Sequence, residues 1–325
     1  MEFLITGGAG FIGSNIAEYL LCEGYKVRVL DNFSNGIPKN LAFVEEIPGA
    51  KARFTLIEGD IRDFKLCEEA CKGVDYVFHE AALGSVPASV EDPATYQDVN
   101  ATGTLNILRA ASKTGVKRLV YAGSSSAYGD SEEETPAPKR EDMLPNPMSP
   151  YAVTKLSGEY FCKIFPELYG LETVILRYFN VYGPRQDPKS QYAAVIPKFI
   201  TALLKEETPT IFGDGEQTRD FIFVKDVVRA NLLACKADKK AVGEVINIAS
   251  GKAISINELY RIIAGIIDVD IKPNYAPSRA GDVRHSLADI SKARHLLNLT
   301  DLTDLEEGLG KTIAWYKNYE KVKVS

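Results

Sequence analysis

Short apolar runs alternate with helical stretches through the first half of the chain. Residues 3–6 read as a strand, 12–23 as a helix and 26–30 as a second strand. Further strands are predicted over 52–57, 74–78, 118–122 and 173–177, with long helices over about 94–114 and 150–169. Apolar strands alternating with helices predict an α/β fold: a doubly wound, Rossmann-type parallel sheet covered on both faces. The stretch 131–149 carries four prolines, an acidic run and few apolar residues, and reads as a loop. Beyond about residue 180 the alternation loosens. Helices are expected near 193–206, 225–237, 255–267 and 304–319, with short strands and glycine-rich turns between them. This predicts a first domain over 1–180 and a smaller mixed lobe over 181–325, with some later segments returning to the first.

Composition narrows the function classes. The 325 residues are 45% hydrophobic and 25% charged, ordinary for a globular protein. A net charge of -6 argues against a nucleic-acid backbone as the main partner. The five cysteines are scattered and form no C-x-x-C pair, so neither zinc nor redox chemistry is indicated and no metal is expected. Cys67 and Cys71 share a helical face and read as core thiols. The chain enters a strand at once, without the basic and apolar regions of a signal peptide. No apolar run reaches membrane-spanning length, and a cytoplasmic location with reduced thiols is expected.

The first strand runs directly into Gly7-Gly8-Ala9-Gly10-Phe11-Ile12-Gly13, which opens the first helix. Small residues there let the backbone approach a pyrophosphate at the positive helix terminus. A tight strand–helix turn needs glycines too, but strand, turn, helix and second strand follow in the order of a dinucleotide site. Asp31 closes the second strand 18 residues after Gly13, followed by Asn32. A carboxylate at that point accepts both ribose hydroxyls and repels a 2′-phosphate, which favours NAD over NADP; a turn aspartate is the alternative. Asp60-Ile61 follows the third strand, where Asp60 either edges an adenine or caps a helix. Ala81 and Ala82 follow the fourth, at the sheet edge where ligands bind.

Tyr151 and Lys155 stand four residues apart, on one face of a predicted helix. A phenol is a poor base at neutral pH, and a nearby ammonium would lower its pKa. The same spacing is common on solvated surfaces, so the pair gains weight only from its surroundings. Ser124, Ser125 and Ser126 follow the fifth strand at the same edge and offer hydroxyls to a substrate, or form a serine-rich turn. None of the three histidines stands in a hydrolase arrangement.

Taken together, these motifs resemble the extended short-chain dehydrogenase/reductases, and among them the nucleotide-sugar epimerases. The resemblance rests on Thr6 through Gly13, Asp31-Asn32, Gly59-Asp60-Ile61, His79-Glu80-Ala81-Ala82, Ser124 with Tyr128-Gly129, and Tyr151 with Lys155. It continues through Arg177-Tyr178-Phe179-Asn180, Arg219-Asp220-Phe221 and Gly281 through Ser286. It implies that Tyr151 takes the proton of a sugar 4-hydroxyl, that Lys155 binds the nicotinamide ribose and holds the phenol's pKa down, and that Ser124 is the catalytic hydroxyl. Bound NAD would then be reduced and reoxidised as C4 inverts through a 4-keto intermediate. Asn100 and Tyr178 would complete the nicotinamide pocket.

The same resemblance makes residues 181–325 a nucleotide-sugar-binding lobe. Arg219 and Arg279 match pyrophosphate and ribose contacts; Asn180, Ala193, Val195 and Asp282 match positions lining a UDP-sugar. Ser286 matches the position that gates the sugar pocket, where serine leaves room for an N-acetyl group, and Ser85 is placed to help bind the acetamide. The implied substrate is UDP-GlcNAc/UDP-GalNAc, with UDP-glucose as a lesser one. The alternatives are a UDP-uronate 4-epimerase, which differs only in the C6 pocket, and a non-catalytic NAD-binding module. A 4,6-dehydratase is disfavoured because Ser125 and Ser126 occupy the positions of its acidic pair. The helices near 94–114 and 150–169 resemble those that pair in dimers of this family, so a homodimer is expected.

Overall fold

Seven strands form one parallel sheet in the computed structural model, which describes residues 1–130, 137–188, 194–278 and 283–324. The strands are β1 (Glu2–Thr6), β2 (Lys26–Asp31), β3 (Phe54–Glu58), β4 (Tyr76–His79), β5 (Arg118–Ser124) and β6 (Glu172–Tyr178). The seventh, Val245–Ile248, comes from late in the chain and pairs with β6. Their spatial order is β3-β2-β1-β4-β5-β6 and then Val245–Ile248, every pairing parallel. The order reverses between β1 and β4, which opens a crevice at their carboxyl ends.

The two-residue period of a strand splits the core across the sheet. Phe3, Ile5, Val120, Ala122, Val174 and Leu176 face one cluster. Their neighbours Leu4, Leu119, Tyr121 and Ile175 face the other. Both faces are therefore buried, as a run of consecutive apolar residues requires.

The helix that carries Tyr151 and Lys155 runs from Pro150 to Tyr169. Ser149 starts it, its hydroxyl accepting from the Ala152 amide at 3.2 Å, and Pro150 supplies a first-turn φ at no cost in hydrogen bonds. Gly170, at φ 70°, ends it in the left-handed conformation. The single helix expected over 94–114 is instead three pieces: α-helix Pro93–Tyr96, a π-helical Gln97–Gly103, and α-helix Thr104–Thr114. The Thr104 hydroxyl donates back to the Asn100 carbonyl, a side-chain competitor for the backbone ladder that hydrophobic periodicity does not register. The helix implied by Cys67 and Cys71 runs over Phe64–Cys71, while the short helices Val86–Glu91 and Ser291–Leu297 have no counterpart in the sequence reading.

Past residue 180 the chain builds a second core around Tyr182, Phe199, Ile211, Phe223, Leu259 and Ile313. Strand Thr218–Phe223 lies between Asn180–Tyr182, parallel to it, and Ala253–Ser255, antiparallel. Among the described residues, no helix is long and apolar enough to cross a membrane, and no cluster of side chains has the makings of a metal site.

Candidate active site

The glycine turn sits where β1 meets its helix, against the end of β4. Gly7 has φ +70°, and a Cβ there would lie 2.7 Å from the Ala81 backbone. A Cβ on Gly13 would lie 2.3 Å from the Gly7 carbonyl oxygen. The turn is thus closed to side chains and leaves its surface bare for a ligand. A cavity runs outward from it, lined among others by Gly7, Gly10, Asp31, Asn32, Asp60, Ile61, Ala81 and Ala82. Phe11 and Ile12 begin the helix and pack against the second lobe's core.

Asp31 is buried, and its two oxygens accept from the amides of Ala9 and Phe33, both at 2.8 Å. Asp60 is paired with Arg62 at 2.8 Å and accepts from the Asn32 side chain at the same distance. The Arg62 guanidinium holds its carboxyl near 2. Asp60 does not cap the helix that follows. Asp63 does, accepting from the amides of Lys65 and Leu66. The same cavity is lined by Glu80 and Leu83, and by Ser34, Asn35, Gly36 and Val99, which the sequence reading did not single out.

Beyond the glycine turn lie Ser124, Tyr151, Lys155 and Tyr178, brought together from the ends of β5 and β6 and the first two turns of the Pro150–Tyr169 helix. The Ser124 hydroxyl accepts from that of Ser126 at 2.8 Å and also hydrogen-bonds Tyr151. Lys155 is buried, with its Nζ 4.9 Å from the Tyr121 ring centroid. Burial pushes its ammonium down to about 8, against an upward pull from Glu80. The expectation that Lys155 depresses the Tyr151 phenol does not hold for the protein alone. Burial raises the phenol, and the Ser124 hydrogen bond offsets this only in part.

Asn100 is spent on the protein itself. Its carboxamide accepts from the Leu83 amide at 2.8 Å and donates to the Leu83 carbonyl and the Thr154 hydroxyl. It ties the cavity wall to the helix of Tyr151. Ser85 caps the helix Val86–Glu91, its hydroxyl accepting from the Ala88 amide.

A second cavity, of about 300 Å³, lies in the smaller lobe. Asn180, Val195 and Arg219 line it, together with Gln186, Phe212 and Gln217. The side-chain oxygens of Gln186 and Gln217 are buried without a hydrogen-bond partner among the described residues. Both glutamines escaped the sequence reading, although Gln217 stands two places before Arg219. Ser286 lies beside this lobe's central strand, its amide donating to the Thr218 carbonyl next to Arg219. Ala193, Arg279 and Asp282 lie outside the described residues.

With this geometry in place, comparison with known proteins is decisive. Residues 3–249 match the model of the NAD dependent epimerase/dehydratase family. The chain belongs to that family. It is an NAD-dependent isomerase, as its motifs led one to expect. A putative UDP-glucose 4-epimerase of Methanocaldococcus jannaschii is 43% identical, over 97% of this chain and 98% of that one. The structure of a UDP-N-acetylglucosamine 4-epimerase from Methanobrevibacter ruminantium, in complex with UDP-N-acetylmuramic acid, is 42% identical with a TM-score of 0.89, covering 98% of both chains. A mutant UDP-glucuronic acid 4-epimerase from Bacillus cereus, in complex with UDP-4-deoxy-4-fluoro-glucuronic acid and NAD, is 33% identical with a TM-score of 0.88. It covers 98% of this chain and all of that one. The glycine cradle and the buried Asp31 of this epimerase suit that cofactor.

Proposed function

We propose that this epimerase inverts C4 of a UDP-hexose, with UDP-GlcNAc and UDP-GalNAc as its substrate pair. The observation that carries the reading is the meeting of Tyr151, Ser124 and Lys155 at the carboxyl edge of the sheet, beside the glycine cradle. In this reading residues 1–180 hold the cofactor through Gly7, Gly10, Phe11, Ile12, Gly13, Asp31, Asn32, Asp60, Ile61, Ala81 and Ala82. Residues 181–325 hold the nucleotide, with Arg219 on the diphosphate and Asn180 and Val195 along it. NAD, when bound, supplies the oxidant that takes and returns the C4 hydride.

Tyr151 accepts the proton of the sugar 4-hydroxyl and later gives it back, and Ser124 keeps phenol and hydroxyl aligned. Because burial raises the phenol, Tyr151 needs added positive charge to work as a base. The oxidised nicotinamide, when bound, would bring that charge, with Lys155 on its ribose. Asn100 acts through Leu83 and Thr154 to hold the cavity wall against the catalytic helix. Ser286 leaves room for the acetamide, and the choice of an acetylated sugar is supported by the likeness to the 42% identical UDP-N-acetylglucosamine 4-epimerase. The functional unit is a homodimer joined through the exposed face of the Pro150–Tyr169 helix.

The test is incubation of the purified protein, without added NAD, with UDP-GlcNAc, UDP-glucose and UDP-glucuronate in turn, the product sugars being resolved by NMR. UDP-GalNAc is the expected principal product. Ser286→Tyr should reduce turnover of the acetylated sugar by at least about tenfold, more than that of UDP-glucose. Equal losses on both remove the gate argument, and product from the uronate alone makes the enzyme a uronate epimerase.

A further inference from the structure

Glu80 stands at the crevice between β1 and β4, and the proposed mechanism leaves it unused. Its position is fixed. The Glu80 amide donates to the Thr6 carbonyl at 3.1 Å, and its carbonyl carbon lies 3.0 Å from where a Gly7 Cβ would be. Glu80 is one of the residues lining the cofactor cavity. Its Oε1 accepts the Tyr178 hydroxyl at 2.8 Å, and the Tyr178 oxygen in turn accepts from Asn231 at 2.7 Å. Glu80 and Lys155 each favour the other's charged form. A carboxylate largely withdrawn from water beside a cleft is costly unless its charge has a use.

We propose that Glu80 is a positioning residue that sets the charge balance of the cofactor cleft: its carboxylate offsets the Lys155 ammonium and anchors Tyr178, so that the cleft favours the oxidised, cationic nicotinamide over the reduced, neutral one. This rests on the reading that Lys155 and Tyr178 face the nicotinamide. An epimerase starts each turnover with its cofactor oxidised, and Lys155 alone biases the cleft the other way. A negative charge in the same cleft restores the balance.

The charged groups around Glu80 are few. Lys155 and Tyr178 act on it directly. His79, beside it, is kept neutral by burial, its ring pushed down to about 3 while Thr6 and Thr104 hydrogen-bond both nitrogens. Asp31 and Asp60 line the same cavity.

The experiment is a reductive titration of the cofactor-loaded chain against a redox couple of known potential, read by the absorbance of the reduced nicotinamide. At pH 8 Glu80→Gln should raise the potential of the bound cofactor, corresponding to a roughly tenfold loss of preference for the oxidised form, or about 30 mV. Glu80→Asp should stay near the wild-type value. Tyr178→Phe, which removes the hydrogen bond and keeps the charge, should shift it by less than about a third as much. The gap between wild type and Glu80→Gln should close as the pH falls through about 7, where burial has raised the Glu80 carboxyl. Equal potentials at pH 8, or an equal shift in Tyr178→Phe, would overturn the proposal. A purified wild-type chain that binds no nicotinamide would instead overturn the cofactor reading beneath it.

Discussion

Glu80 and Lys155 are displaced in opposite directions by one cause, the loss of water around a charge. Burial raises the carboxyl from 4.5 to about 7 and lowers the ammonium from 10.5 to about 8. Between pH 4.5 and 7 the folded chain therefore holds more protons at Glu80 than the unfolded one, and stability falls as pH rises. Between pH 8 and 10.5 it holds fewer at Lys155, and stability rises with pH. Each displacement is worth roughly 3 kcal/mol, so the pair should place a stability minimum between about pH 7 and 8. Thermal unfolding of cofactor-free protein across pH should show that dip. The double variant Glu80→Gln/Lys155→Met should lack it and gain most stability over the wild type in that window. Parallel profiles for the two proteins would count against the argument. At this scale the sequence was legible where position in a motif suffices: the glycine turn, Asp31 and the Tyr151–Lys155 pair all stand at strand or helix ends. It named Glu80 only as a member of a motif and was silent on Gln186 and Gln217, because their interest lies in neighbours far away in the chain.

Between elements, the helix of Tyr151 is locked to β6 by a buried ion pair. Arg177 on β6 donates from Nε and Nη2 to the two oxygens of Glu159, at 2.8 and 2.6 Å, with both side chains almost wholly buried. Glu159 lies one turn beyond Lys155, so the pair sets how the catalytic helix rests on the sheet. The Arg177 guanidinium also lies over the Tyr128 ring, and its Nη1 is buried without a hydrogen-bond partner among the described residues. Breaking such a pair leaves an uncompensated buried charge and costs about 3–5 kcal/mol, whereas replacing both partners by apolar residues is close to neutral. Denaturant unfolding should therefore show a large loss for Glu159→Leu and recovery of most of it in Glu159→Leu/Arg177→Met. A double variant as unstable as the single one would refute this account. The sequence announced the helix and the strand through their apolar periods. It did not announce their pairing, because a charged residue within a predicted element reads as solvent-facing until the opposite charge is found. The π-helical break at Gln97–Gly103 was hidden for a similar reason, since it depends on the Thr104 hydroxyl and on contacts of Asn100 with Leu83 and Thr154.

At the scale of the molecule, the alternation of strands and helices along the sequence was enough to predict a doubly wound parallel sheet, while the order of its strands was not read from it. The return of Val245–Ile248 to the sheet has no counterpart in local pattern, because a four-residue apolar strand does not state its partner. One surface remains unaccounted for by a single chain. The Pro150–Tyr169 helix buries one side on the sheet and leaves Val153, Tyr160, Ile164, Leu168 and Tyr169 at 45–62% exposure on the other. Val153, Tyr160 and Ile164 recur at seven and four residues, one stripe along the helix, and Val86 and Val90 on a nearby helix are also exposed. A contiguous apolar stripe of this kind is characteristic of an interface. A twofold pairing of this helix with its own copy would cover it while leaving both cavities open. Light scattering of the wild-type chain should give twice the monomer mass, and Tyr160→Glu/Ile164→Glu should give the monomer. Because Tyr151 and Lys155 ride on the opposite side of the same helix, the monomer should also lose epimerase activity, by about tenfold or more. A double variant that stays dimeric would place the interface elsewhere. A monomer with full activity would show that the helix holds its catalytic residues without a partner behind it.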